Sequence, residues 1–249
     1  MNEIKDKLFV ITGGGNGIGK AIATHVLENG GCVAIIDTDT AKIQTEFEKY
    51  KTKTLIYNGD LSIKADMDKF CEKVIAFGKV FCLINNACKT HGGMLHPCGY
   101  EDFMKTLAVG VGAPYYLTSV LKDNFQNGGS VINISSTRAH QSQKSTESYS
   151  SAKGGICALT HAMAISLGGK IRVNSIAPGW IDTTESEFFG ADNTQHPAGR
   201  VGKPCDIVEM AMYLASEKAG FITGSEFVVD GGMSKLMVYH NDENWQLEE

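Results

Sequence analysis

Residues 7–37 read KLFVITGGGNGIGKAIATHVLENGGCVAIID, and this stretch decides the fold. It opens on one short apolar run, KLFVIT (7–12), and closes on another, CVAIID (32–37), both rich in β-branched residues, as buried strands are. Between them Ile18, Ala21, Ile22, His25 and Val26 recur at helical spacing, and ENGG ends the periodic segment. Strand, turn, helix and strand make a βαβ unit, whose two strands pair in parallel. The turn, TGGGNGIG (12–19), places four glycines in the five residues 13–17. Glycine permits a tight bend and lets the backbone approach a ligand. The helix that follows offers unpaired N–H groups and the positive end of its dipole, which suits a pyrophosphate. The spacing is T-G-x-x-x-G-x-G, through Thr12, Gly13, Gly17 and Gly19, and not the commoner G-x-G-x-x-G.

Working outward, further apolar runs stand at 54–58 (TLIYN), 80–85 (VFCLIN), 130–135 (SVINIS), 171–176 (IRVNSI) and 226–230 (EFVVD). Segments of helical period separate them. One of these, from Ser62 as a candidate N-cap, carries the stripe Met67, Phe70, Val74 and Phe77. Such alternation predicts an α/β, doubly wound Rossmann-type fold: a seven-stranded, mostly parallel sheet with helices on both faces. No repeat, linker or composition shift divides the 249 residues, so one domain is expected over 1–249, with 231–249 as a polar tail containing Trp245.

Apolar residues at 43% suffice for a large core, and a net charge of -5 without a Lys/Arg block argues against nucleic acid as a partner. No run approaches the roughly 18 apolar residues of a membrane span, and the N-terminus lacks a secretory pattern. The seven cysteines, at 32, 71, 82, 88, 98, 157 and 205, form no CxxC pair and no Cys/His ligand spacing. No metal is expected, and a reducing cytoplasm fits.

Asp37 ends the second strand, eighteen residues after Gly19, where this architecture puts the adenosine ribose. A carboxylate there accepts from both ribose hydroxyls and repels a 2′-phosphate. With DTDT following and no Arg or Lys beside it, NAD is preferred over NADP. Farther on, Tyr149 and Lys153 stand four apart in a helix-compatible segment and so share a face. Ser136 lies thirteen residues before Tyr149, at the C-terminal end of a strand, the edge where open parallel sheets bind ligands. A phenol of reference pKa about 10 needs help to act as a base, and a neighbouring ammonium supplies it.

TGGGNGIG, Asp37, GDLS (59–62), NNA (85–87), Ser136 with YSSAK (149–153), APGWIDT (177–183), HPAGRVGKPCDI and TGSEFVVDGG occur in order over nearly the whole chain. Together they make it resemble the short-chain dehydrogenase/reductase family. The resemblance implies an NAD(H)-dependent oxidoreductase that interconverts a secondary alcohol and a ketone, a small-molecule substrate. Tyr149 would be the acid/base and also a cofactor contact, Ser136 the carbonyl anchor, and Lys153 a ligand of the nicotinamide ribose. It further implies cofactor contacts at Gly13, Asn16, Gly17, Ile18 and Gly19, at Asp60 and Leu61 beside the adenine, at Asn86, and at Ile181 and Thr183 beside the carboxamide. A homodimer or homotetramer is implied too, through the helices at 100–127 and 148–168, which carry apolar positions on more than one face, Ala158, Leu159, Ala162 and Ile165 included.

Two departures stand out. Aligned on APYYLT, Gly110 falls where many members carry a relay asparagine, and Cys88 follows NNA where glycine is usual. The first keeps a competing reading alive, an NAD-binding sensor or structural subunit with little turnover. For substrate recognition the candidates are an apolar wall of Trp180, Phe188, Phe189 and Met94 and polar groups at His96, His140 and Gln141. A hydroxysteroid, a polyol or sugar, and a small hydroxy acid all remain open. An acyl-carrier-protein substrate is disfavoured, since no basic cluster offers itself to an acidic partner.

Overall fold

Along the first strand the side chains alternate: Leu8 and Val10 enter one apolar layer, Phe9 and Ile11 the other. Both faces are buried, which only a sheet covered on both sides satisfies. The computed structural model describes residues 4–239 and 241–242. Among them the strands are β1 (Leu8–Thr12), β2 (Cys32–Asp37), β3 (Thr54–Asn58), β4 (Val80–Asn85), β5 (Phe125–Ile134), β6 (Ile171–Pro178) and β7 (Glu226–Val229). They pair in the order β3-β2-β1-β4-β5-β6-β7, and every pairing is parallel. Helices α1 (Gly17–Glu28), α2 (Ala41–Glu46), α3 (Lys64–Phe77), α4 (Tyr100–Leu107), α5 (Ala113–Leu121), α6 (Glu147–Ser166), α7 (Ala191–Thr194) and α8 (Pro204–Ala215) make the connections. Residues of α1 and α8 fill the layer with Phe9 and Ile11; residues of α3, α5 and α6 fill the layer with Leu8 and Val10. The chain leaves β1 toward β2 and β3, then returns to the other side of β1 as β4. That reversal opens the crevice in which such sheets take their ligands.

Three sequence expectations shift. Ser62 does not cap α3, whose N-cap is Ile63; its N and Oγ instead donate to Asp60 Oδ1 at 2.8 and 2.7 Å. The helix expected over 100–127 is interrupted by a π turn at Ala108–Gly112 and ends at Leu121, and β5 begins at Phe125 rather than 130. The glycines of FQNGG, Gly128 among them at φ +75°, carry no alternation by which to recognise a strand. The tail residue Trp245 lies outside the described residues.

A buried polar row crosses the sheet. Asn85 Nδ2 donates to Asn133 Oδ1 at 2.8 Å, Asn133 Nδ2 to Thr160 Oγ1 at 2.8 Å, and Thr160 Oγ1 to Ile156 O at 2.8 Å. It ties β4 and β5 to α6, the helix that carries Tyr149 and Lys153.

Candidate active site

The glycine turn closes by hydrogen bonds to its own strand ends. Gly13, at φ +65°, lies so near β4 that a Cβ there would stand 2.9 Å from Ala87 Cα. Gly15 N donates to Asp37 Oδ2 at 2.8 Å, and Asp39 N donates to Asp37 Oδ1 at 3.1 Å. The carboxylate is thereby fixed with an acceptor position still open on each oxygen. Helix α1 begins directly after Asn16 with no acidic residue in its first turn and no side-chain cap, so its positive end is uncompensated. A cleft of about 350 Å³ receives Gly13, Asn16, Gly17, Ile18, Asp37, Asp60, Leu61, Asn86 and Thr183 together. Open helix N–H groups, an orienting carboxylate and a side-chain-free cradle fit the pyrophosphate and ribose of a nicotinamide dinucleotide.

Gly19 does not line this cleft. A Cβ at Gly19 would stand 2.2 Å from Gly13 O, so its glycine serves the packing of α1 against the turn. Asn86 braces the two central strands: its Nδ2 donates to Thr12 O at 3.1 Å and Gly13 O at 2.8 Å, and Thr12 Oγ1 accepts from Asn86 N and Ala87 N at 3.0 and 3.1 Å. Burial pushes the Asp60 carboxyl up, but the Ser62 hydrogen bonds and the Lys105 ammonium outweigh it and hold the group below its ordinary value. Lys105 Nζ stands 3.2 Å from Asp60 Oδ2. Ile36, Thr38, Val109 and Lys89 also line the cleft and escaped the sequence reading. Ile36 and Thr38 sit at the end of β2 beside the turn, but Lys89 lies four residues past β4 and Val109 in the π turn at Ala108–Gly112, so no sequence spacing announces them.

A second cavity, of about 800 Å³, receives Ser136, Tyr149 and Ile181. Ser136 Oγ accepts from Arg138 N at 3.2 Å, which leaves its own proton free to donate. Lys153 lines neither cavity. It is 4% exposed, beneath them, and its Nζ donates to Ile134 O at 2.7 Å while standing 5.4 Å from the Tyr149 ring centroid. Ser135 Oγ donates to Lys153 O at 3.2 Å, so the end of β5 and the first turns of α6 are bonded in both directions.

Gly110 lies buried in the π turn between α4 and α5. A Cβ there would meet Ala152 Cβ at 2.9 Å and Cys88 Sγ at 3.4 Å. An asparagine does not fit that contact unless α6 shifts, next to Lys153. Gly110→Asn is therefore expected to lower stability by about 1–3 kcal/mol, read as the urea midpoint, with no gain in turnover. An unchanged midpoint with faster turnover would show that the site accepts a relay side chain.

Of the substrate-side candidates, Trp180 and Gln141 line the larger cavity, and Phe188 packs edge-on against Trp180 at 5.0 Å. Phe189 and Met94 are exposed and neither lines it, nor does His96. His140 is drawn away: its Nε2 pairs with Glu226 Oε2 at 2.5 Å, and Glu226 Oε1 accepts from the Cys157 thiol at 2.8 Å. These three bring potential ligand atoms within 4.8 Å of one another, a proximity that no sequence spacing announces.

Comparison with known proteins agrees in fold and extent. The profile of a family described as Enoyl-(Acyl carrier protein) reductase matches residues 13–234. The chain is 39% identical to an uncharacterized oxidoreductase of Thermotoga maritima, over 95% of this chain and 99% of that one. It superposes on an apo SCOR enzyme from Clostridium thermocellum with a TM-score of 0.91 and 44% identity, covering 98% of this chain and 99% of the other. A blue fluorescent protein from a metagenomic library, solved with NADPH, gives 0.84 at 26% identity, over 93% and 99%.

Proposed function

The chain belongs to the short-chain dehydrogenase/reductase family of oxidoreductases, and from that premise we propose that it interconverts a secondary alcohol and a ketone with NAD(H), in one domain. The observation that carries this reading is the meeting of Ser136 and Tyr149 on one cavity, with the Lys153 ammonium 5.4 Å from the Tyr149 ring. When bound, the dinucleotide supplies or accepts the hydride. The chain's own residues do the rest. The first turn of α1 and the glycine turn hold the pyrophosphate, Asp37 takes the adenosine ribose, and Asp60, Leu61, Asn86 and Thr183 line the remainder. Ile181, on the neighbouring cavity, holds the carboxamide end by its backbone. Ser136 Oγ donates to the substrate oxygen. Tyr149 Oη gives that oxygen a proton on reduction and takes one on oxidation. Lys153, anchored on Ile134 O, keeps a positive charge beside the phenol and has two further N–H groups for the nicotinamide ribose.

NAD is favoured over NADP because the Asp37 carboxylate borders the cleft and, among the described residues, its one lining cation, Lys89, follows β4 on the far side of β1. A panel of alcohols and ketones assayed by NADH absorbance tests the reaction. Failure of every member, with NADH still bound, would favour the sensor reading.

Among the described residues no helix is long and apolar enough to cross a membrane, and all seven cysteines are free. The free thiols support a site of action in a reducing cytoplasm. We further propose a homo-oligomer. Helix α6 leaves Ala158, Ala162 and Ile165 on an open face, Ile165 at 84% exposure. Apolar surface of this kind is ordinarily covered by a second helix. Ile165→Glu is expected to convert a dimer or tetramer to a smaller species in size-exclusion chromatography. Elution of the native chain at monomer mass would end the proposal.

A further inference from the structure

The cavity shared by Ser136 and Tyr149 has an uneven lining. Thr90, Gln141, Ser142, Gln143 and Gln195 bring hydroxyl and amide groups, and Trp180, Ile181 and Met233 bring apolar surface. Among the described residues one charged side chain lines it: Arg138. Arg138 is half-buried as a residue, and its guanidinium has no carboxylate partner among the described residues. A single N–H group goes to Gln143 Oε1, and the guanidinium carbon stands 5.8 Å from the Tyr149 ring centroid. Lys153 approaches the same ring to 5.4 Å. Two cations thus flank one phenol, with no anion against Arg138.

A guanidinium at a cavity wall with no counter-ion is free to take an anion from solution. The remaining N–H groups form a planar fork that matches a carboxylate. The dinucleotide is a poor candidate for that counter-ion, because its anionic groups belong to the other cleft, where α1 begins and Asp37 stands. The charge count limits the ligand as well. Lys153 does not line the cavity and its Nζ is held by Ile134 O, so the lining offers an anion one guanidinium, which neutralises a monoanion, whereas a phosphate dianion leaves charge over.

Resting on the oxidoreductase reading above, we propose that Arg138 is the specificity-determining residue of this site and that the substrate is a small polar hydroxy or oxo monocarboxylate. Arg138 binds the carboxylate, the amides and hydroxyls of the 141–143 segment and Gln195 bind its polar substituents, and Ser136 and Tyr149 hold the reacting oxygen.

The test uses the full chain with NADH and a panel of oxo carboxylates of three to six carbons, each paired with its methyl ester, which keeps the shape and removes the charge. The native protein is expected to prefer acid over ester by about 10- to 100-fold in kcat/KM, the range of one charge-assisted, bidentate pair. In Arg138→Gln that ratio falls toward one, mainly through a higher KM for the acid, and Arg138→Lys restores part of it. Equal use of acid and ester by the native protein overturns the proposal without any variant. So does an Arg138→Gln whose kcat falls equally on both, with a displaced pH–rate profile, since Arg138 then acts on Tyr149 instead of on substrate.

The parent reading fails separately. If no compound is turned over, yet 3-oxobutanoate raises the melting temperature of the native protein and not of Arg138→Gln, the anion site stands and the oxidoreductase reading falls. If neutral alcohols or ketones are turned over while carboxylates neither bind nor react, the oxidoreductase stands and the anion site falls. Absence of both binding and turnover overturns the proposal as well.

Discussion

Tyr149→Phe is expected to lower kcat by roughly 10²–10⁴-fold, the usual contribution of a positioned acid/base, while NADH binds as before. The substitution removes one oxygen and leaves the ring against Lys153 and Arg138. It is a cleaner probe than removal of Lys153, whose Nζ also satisfies the buried carbonyl of Ile134. Steady-state rates followed by NADH absorbance, with NADH fluorescence titration beside them, separate the two effects. A variant that keeps more than about a tenth of native turnover would remove Tyr149 from the proton transfer. Loss of NADH binding in step with turnover would recast the phenol as part of the dinucleotide site.

The second large effect concerns cofactor choice. Two like charges about 4 Å apart cost on the order of 4 kcal/mol at an effective dielectric of 20, so a 2′-phosphate against Asp37 is strongly disfavoured. Solvent reduces that figure at a half-buried carboxylate. A native preference for NAD over NADP of roughly 10²–10³ in kcat/KM is therefore expected. Asp37→Asn removes the charge but keeps an oxygen to accept from Gly15 N, so the turn survives. The preference should fall to within about tenfold. Ratios of kcat/KM with the two dinucleotides measure it. If the ratio does not move, some other group selects the cofactor, and Lys89 is the next to examine.

The strands were legible in the chain because burial on both faces leaves continuous β-branched runs, as in FVIT and VAIID, and parallel pairing follows from the helices between them. The glycine turn was legible for a different reason. Its glycines are required by contacts of 2.2–2.9 Å that no Cβ tolerates, as at Gly13, Gly15 and Gly19. Yet the same pattern does not separate glycines that line the cleft from one that packs inward, as Gly19 does against Gly13 O. The π turn at 108–112 escaped because one extra residue in a helical turn does not alter the apolar periodicity enough to be read. Arg138 was passed over among the loop residues between Ser136 and Tyr149. Its meaning depends on what is absent around it, and a missing counter-charge is visible only when distant segments are assembled. His140 was expected to face substrate, and Glu226, eighty-six residues later, takes it instead.

The amide row Asn85–Asn133–Thr160 has a further consequence. Asn85 and Asn133 are direct partners in the β4–β5 pairing. If β5 slid by a single position, every one of its side chains would exchange faces. Asn133 would enter the opposite apolar layer, and Thr160 and the Asn85 amide would lose their mates in the dry interior. Apolar contacts such as Val131 with Leu83 tolerate approximate alignment, but amides do not. The row therefore acts as a vernier for the sheet: it admits one alignment of β4 against β5, and with it one height for Ser136 relative to the turn of α6 that bears Tyr149.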